Sequence, residues 1–335
     1  MASKVPGNIG IYYGNCRPGR KCVARESVTD RATRDEVIEL LEETIDKIEK
    51  WGLYEDQWIS NYVNEAKEVI DGLGSYEELN EYHKLIINSI KEILKSLLNR
   101  VDNDLRNYWV SKLGNEVAEL IQDIISGKAQ VIINRTSKTL AVHVYRNHIT
   151  LDINKIRNNS GITTQLRIKG LRGINIEIPN IFEEILDKEE YEKLEKETLT
   201  PLKLGFAITD ETTRNGKPVM ITAHLWQAIL WMLLYPGKIY ISINAIDINK
   251  NDVKIKWYLV ANDYVSLKDK AIDILRGFNY ENLLRFMSTV ILGDGNVTLL
   301  KHSNSKARLK PVIKISIGQV KFNEWEPILS MLKKS

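Results

Sequence analysis

Residues 282–296 read NLLRFMSTVILGDGN, and the reading of the Asp294-Gly295 pair, as a functional acid or only a helix stop, decides the carboxyl-terminal fold. Leu283, Leu284, Phe286, Met287, Val290, Ile291 and Leu292 make the stretch apolar almost all round, so a buried helix is predicted over about 281–293. Thr289 and Gly293 stand four apart on one face with Ser288 beside them, small enough for a second helix to approach closely. An acid at the end of such a helix opposes the helix dipole at a cost of about 0.3–1 kcal/mol. A divalent cation would compensate, and would supply the Lewis acid that phosphodiester hydrolysis requires. Asp294 is therefore the candidate catalytic residue and metal ligand, with Mg²⁺ as the ion.

Working outward, the chain shows an apparent duplication. A helix over about 219–235 ends in Pro236-Gly237 and is followed by a hairpin over about 238–261 and a helix opening at Ser266. The helix 281–293 is followed in nearly the same spacing by a hairpin over about 297–318 and a helix opening at Asn323. In VKIKWYLV the apolar residues Val253, Ile255, Trp257 and Leu259 alternate with Lys254, Lys256 and Tyr258, and VIKISI repeats the alternation around Lys314, with Lys310 in phase. A sheet that buries one face and presents lysines about 7 Å apart on the other can follow a phosphate backbone. Lys254, Lys256, Lys301, Lys306, Arg308, Lys310 and Lys314 are the candidate contacts to DNA phosphate, and His302 lies among them.

MSTVILGDG, residues 287–295, resembles the LAGLIDADG motif of homing endonucleases and related DNA-binding proteins. In that family two such helices pack together and each delivers an acid to a metal site, which is the role the resemblance implies for Asp294. Met287, Val290 and Ile291 stand at apolar positions, Ser288, Thr289 and Gly293 at or near small ones, and Leu292 departs at the motif's first aspartate. If ILWMLLYPG (229–237) is the partner motif, Pro236 replaces its acid. Either two chains then pair through helix 281–293 as a homodimer, or the site is degenerate. The interval from Gly237 to Gly295 is also too short for two full halves, each carrying two hairpins. Over about 160–335, GFAITDETTRNGKPVMITAHLWQAILWMLLYPGKIYISIN and LLRFMSTVILGDGN with VKFNEWEPILSML resemble a crenarchaeal family of paralogous repeat-element proteins. This resemblance implies an archaeal, mobile-element setting and no particular reaction.

The remaining chain is read from periodicity and charge. Residues 1–30 form a loop-rich lead-in with one strand, IGIYY; GNCRPGRK within it approaches a phosphate-cradling loop but has Arg20 and Lys21 where that chemistry needs Lys and a hydroxyl. Residues 31–128 form an acidic helical domain, 12 basic residues against 22 acidic over 30–128, with Val37, Leu40, Leu41, Ile45 and Ile48 on one stripe. Residues 129–215 switch to a period of two and form an α+β domain in which Asp210-Glu211 reads as a plain turn. Residues 216–335 hold the duplicated αββα, LAGLIDADG-like units, and residues 296–335 carry 8 basic residues against 2 acidic. The fold class expected is α+β.

A chain of 335 residues with a net charge of +3 has room for two or three cores. No apolar run reaches the roughly 18 residues of a membrane span, so a cytoplasmic protein is expected. The two cysteines, Cys16 and Cys22, have no histidine nearby to complete a zinc site. Abundant Lys and Glu with only six Gln suit a hot environment. Two functions follow. The first is a DNA-binding protein of mobile-element type with a degenerate LAGLIDADG-like domain and metal-dependent nicking of double-stranded DNA. The second is a non-catalytic interaction protein whose acidic helical domain, rich in solvated Glu and Lys, binds a protein partner.

Overall fold

A computed structural model describes residues 4–15, 22–53, 55, 57–73, 81–159, 161–248, 253–301, 309–315, 326 and 330. Helices and strands come in successive runs along the chain, a mixed α/β composition. The chain divides into two compact units, the first made of Met1–Ile174, Thr222–Gln227 and Ile241–Tyr258, the second of Asn175–Ile221, Ala228–Tyr240 and Leu259–Ser335.

The first unit opens with β1 (Gly10–Asn15) and β2 (Val23–Ser27), then α1 (Arg31–Lys50), α2 (Gln57–Gly72) and α3 (Glu81–Leu105), which passes through a π-helical turn at Arg106–Val110 into α4 (Ser111–Ile125). Asp30 caps α1 by accepting from the Thr33 N–H at 2.8 Å. The predicted stripe of Val37, Leu40, Leu41, Ile45 and Ile48 is buried, and so are Leu113, Val117, Leu120, Ile121 and Ile124 of α4. Each such side chain contributes about 1.5–3 kcal/mol relative to exposure. Four strands follow: β3 (Gln130–Arg135), β4 (Thr139–Arg146), β5 (Ile149–Asn158) and β6 (Gly161–Lys169).

The sheet of this unit alternates its chemistry by row. Val131, Val144, Leu151, Ile168 and Ile246 stand opposite one another across adjacent strands, and all are fully buried. The next row runs His143, Asp152, Arg167 and Asp247, on the opposite face because the pleat has a period of two. The strand expected at IGIYY is β1; it lies parallel to β3, Ile11 opposite Val131, a pairing that cannot be read from neighbouring residues. Cys22 is disulfide-bonded.

The second unit begins with β7 (Ile174–Ile178), α5 (Ile181–Ile185) and α6 (Lys188–Leu194), then a π-helical turn at Glu195–Leu199 and α7 (Thr200–Ile208). The hairpin of β8 (Glu211–Arg214) and β9 (Lys217–Thr222) turns on Asn215 and Gly216, both at positive φ (52° and 75°), as a two-residue hairpin turn demands. Next along the chain come α8 (Leu225–Leu234), β10 (Gly237–Ile248) and β11 (Val253–Ala261), of which Leu225–Gln227 and Ile241–Tyr258 belong to the first unit, and then, in the second, a 3₁₀ turn at Lys268–Lys270, α9 (Ala271–Leu275), α10 (Tyr280–Asp294), β12 (Gly295–Lys301) and β13 (Leu309–Ile315). A helix opening at Asn323 lies outside the described residues.

Two expectations change here. The helix placed over 219–235 is a strand and then a helix, because Thr222 Oγ1 accepts from the His224 N–H at 3.1 Å and closes the strand before α8 starts. The two hairpins of the apparent duplication are also not equivalent. β10 pairs with β6, whereas β12 and β13 form a two-stranded sheet of their own, Gly295 opposite Ile315.

Candidate functional site

The site is built where α7 meets α10. Leu204 of α7 is enclosed with Ala271 and Leu275 of α9 and with Leu283, Phe286 and Val290 of α10, and Ile208, Phe278 and Met287 line the edge of this cluster. The α10 residues recur every three or four positions, so they form one stripe. The stripe leaves the rest of the helix open: Leu284 and Leu292 are 50% and 41% exposed, so the expectation of a helix buried all round is corrected.

Glycines set the approach of the two helices. A Cβ on Gly205 would fall 2.6 Å from the Phe286 carbonyl oxygen and 2.9 Å from Thr289 Cβ. At the other end, a Cβ on Gly293 would fall 2.8 Å from Thr209 Cβ and 3.1 Å from Asp210 Oδ2. Thr289 Oγ1 donates across the seam to the Leu202 carbonyl at 2.9 Å. The contact is reciprocal, glycine of one helix against threonine of the other, at both ends of the crossing. The face of helix 281–293 that carries Thr289 and Gly293 is covered by α7 of the same chain.

Two acids stand at the ends of these helices. Asp294 is the last residue of α10, and the Gly295 N–H caps the helix by bonding the Ile291 carbonyl; the Asp294 side chain lies outside the described residues. Asp210 lies in the turn two residues past the end of α7, is half-buried, and turns its carboxylate to the α10 backbone at Gly293. Among the described residues α10 packs against α7 and not against the ILWMLLYPG helix. KLGFAITD sets Gly205 and Asp210 at the separation of Thr289 and Asp294; Asp210 lies in the turn expected there, and Glu211 opens β8. Two carboxylates are hard oxygen donors of the kind Mg²⁺ takes. Among the described residues no group of three or more His, Cys, Asp or Glu is spaced to hold an ion.

Glu211, the first residue of β8, turns inward. Only 2% exposed, it accepts from Trp231 Nε1 at 2.7 Å, and burial pushes its carboxyl up to about 7 against the pull of Trp231 and Tyr235. Burial, with Glu211 beside it, raises Tyr235 well above the ordinary phenol range. Lys268 Nζ donates to the Glu211 backbone carbonyl at 2.6 Å. Lys203, 4% exposed, donates to Glu195 Oε1 at 2.8 Å and lies 4.9 Å from the Tyr264 ring. These buried titratable groups carried no periodic signal and were missed from sequence.

The lysines divide between the units. Val253, Ile255, Trp257 and Leu259 are buried as predicted, with Lys254 exposed between them. Lys256 is held 3.4 Å from Asp247, which also takes Arg167 at 2.5 Å, and Asp152 binds His143 at 2.8 Å and Lys169 at 2.7 Å. This face of the first unit's sheet is internally paired, with Lys256, a candidate phosphate contact, beside Asp247. Lys314 of β13 is exposed opposite Asn296, and Lys310 and Lys301 occupy β13 and β12 with side chains outside the described residues. Lys306, Arg308 and His302 fall outside the described residues. His224 pairs with Glu65 at 3.0 Å.

No helix among the described residues is long and apolar enough to cross a membrane. Comparison with protein-family models, curated proteins and solved structures finds no match to this chain.

Proposed function

We propose that this is a DNA-binding protein of mobile-element type whose second unit uses a LAGLIDADG-like helix pair, α7 with α10, to hold Mg²⁺ and nick double-stranded DNA. One observation carries the reading: Gly205 packs against Thr289 and Thr209 against Gly293, and Asp210, two residues past α7, and Asp294, the last residue of α10, each stand five positions after the first contact residue of their helix. Each helix runs into a hairpin, β8–β9 after α7 and β12–β13 after α10, which supports a repeat that starts one helix earlier than the duplication first read from sequence. Asp210 and Asp294 would hold the ion, and the bound ion supplies charge stabilisation at the scissile phosphate and an activated water. Lys310 and Lys314 in β13, with Lys301 in β12, Lys254 in β11 and the residues Lys306 and Arg308 of the β12–β13 connection, would contact backbone phosphate. The crenarchaeal repeat-element family is the setting proposed for the chain.

The test is incubation of supercoiled plasmid with the purified chain and Mg²⁺. The expected result is conversion to open circles that EDTA abolishes and that Asp210→Asn and Asp294→Asn each lower by at least about a hundredfold, since each acid is a ligand. Equal nicking by wild type and both variants would remove the helix pair from the chemistry. DNA binding without any nicking would leave a binding protein with a degenerate centre.

A further inference from the structure

A cluster of cations lies in the first unit, at the turn from β3 to β4. Register pairs Arg135 with Leu140 and Leu140 with Lys155, and directly paired residues project to one face, so two cations flank one buried leucine. Arg157, two residues along β5, shares that face. Lys138 comes from the turn itself, which is ordered by Thr136 Oγ1 accepting the N–H groups of Lys138 at 3.4 Å and Thr139 at 3.0 Å. Together with Ser137 these side chains rim an open cleft of about 50 Å³, room for one phosphate group.

Two acids lie near the four cations: Asp30, whose carboxyl is lowered by hydrogen bonding from Thr33 and, less, by Arg135, and Glu36, which bonds two of them. Glu36 of α1 gives Oε2 to Arg135 at 2.5 Å and Oε1 to Lys155 at 3.2 Å. Its burial pushes the carboxyl up, yet Lys155 and Arg135 hold it below the usual range, so it stays ionised. Arg135 is fixed further by a 3.0 Å bond to Thr33 Oγ1. Glu36 therefore orients two of the cations and neutralises one charge, while Lys138 and Arg157, both exposed, have no acidic partner among the described residues. Pre-set guanidinium and ammonium groups lose little entropy on binding an anion, and guanidinium with hydroxyl neighbours suits tetrahedral oxygens.

We infer that this cleft binds one phosphate group, and, resting on the DNA-binding reading above, that it is a backbone contact additional to those of the second unit. The ligand chemistry is a phosphate oxyanion, from duplex DNA or from a free phosphate compound. The experiment uses the full chain and two double variants of exposed residues, Lys138→Gln/Arg157→Gln and Lys138→Glu/Arg157→Glu. Binding is measured to a 30-base-pair duplex across a salt series and to inorganic pyrophosphate by calorimetry. The expected result is a salt slope shallower by about one to two in both variants, duplex affinity about tenfold or more weaker in the Glu variant, and loss of pyrophosphate binding.

The outcomes separate. Wild type binding pyrophosphate but no duplex keeps the phosphate site and ends the DNA reading. Loss of pyrophosphate in the variants with duplex binding unchanged keeps the site for a small phosphate ligand and removes its DNA role. Both ligands bound equally by wild type and variants, pyrophosphate bound by none of them, or polyglutamate competing as well as pyrophosphate, would each overturn the assignment. Duplex binding that persists through Lys310 and Lys314 alone would then stand without this cleft.

Discussion

Thr209 and Gly293 meet at one end of the α7–α10 crossing, a Cβ on Gly293 falling 2.8 Å from Thr209 Cβ, and Gly205 meets Thr289 the same way at the other. Backbone this close leaves no room for a larger side chain. Gly205→Leu and Gly293→Leu should each destabilise the chain by about 1–3 kcal/mol through overpacking. Thr289→Ala should cost about 1 kcal/mol by removing the bond to the Leu202 carbonyl. Urea denaturation checks all three; leucine variants as stable as wild type would mean the helices do not pack as described.

Glu211 predicts a stability change with pH. Its folded value is about 7, above the ordinary 4.5, so the folded chain keeps this proton where the unfolded chain has lost it. Its contribution is whole below about pH 4.5, declines as pH rises through 7, and is lost above. Glu211→Gln keeps an acceptor for Trp231 without a charge, so it should flatten that decline and gain on the order of 1–3 kcal/mol over wild type at pH 8. Chemical denaturation at pH 4.5, 6 and 8 reads this directly. Parallel profiles for the two proteins would show that the carboxyl titrates normally.

The lysines should not behave alike. Lys310→Glu/Lys314→Glu should weaken duplex binding and flatten its salt slope by about two. Lys256→Gln should change the slope little, because Asp247 already holds that ammonium. It should instead shift stability by at most about 1 kcal/mol, as a partly exposed pair allows. Fluorescence anisotropy over a salt series distinguishes them, and a Lys256 effect as large as that of Lys310 and Lys314 would mean the strand face is open to phosphate.

Much of this fold was legible where neighbours in sequence are neighbours in space. The α1 stripe, the alternation in β11 and the span of α10 follow from periods of 3.6 and 2, and they hold. What failed depends on distant residues. The parallel pairing of β1 with β3 joins segments more than a hundred residues apart, and the His143-Asp152-Arg167-Asp247 row exists only once four strands lie side by side. For the candidate site, the small residues Thr289 and Gly293 correctly foretold a close helix, but its identity was misjudged. ILWMLLYPG is the more hydrophobic stretch and drew the assignment, whereas α7 is interrupted by Lys203, a lysine that is buried only because Glu195 and two tyrosine rings enclose it.

The most direct measurement is binding of Mn²⁺, standing in for Mg²⁺, to the metal-stripped chain in the presence of duplex DNA, followed by electron paramagnetic resonance. If the ends of α7 and α10 together form the metal centre, wild type takes up the ion, and Asp210→Asn and Asp294→Asn each abolish that uptake while the DNA remains bound. Uptake by both variants at the wild-type level, or none by wild type, contradicts it.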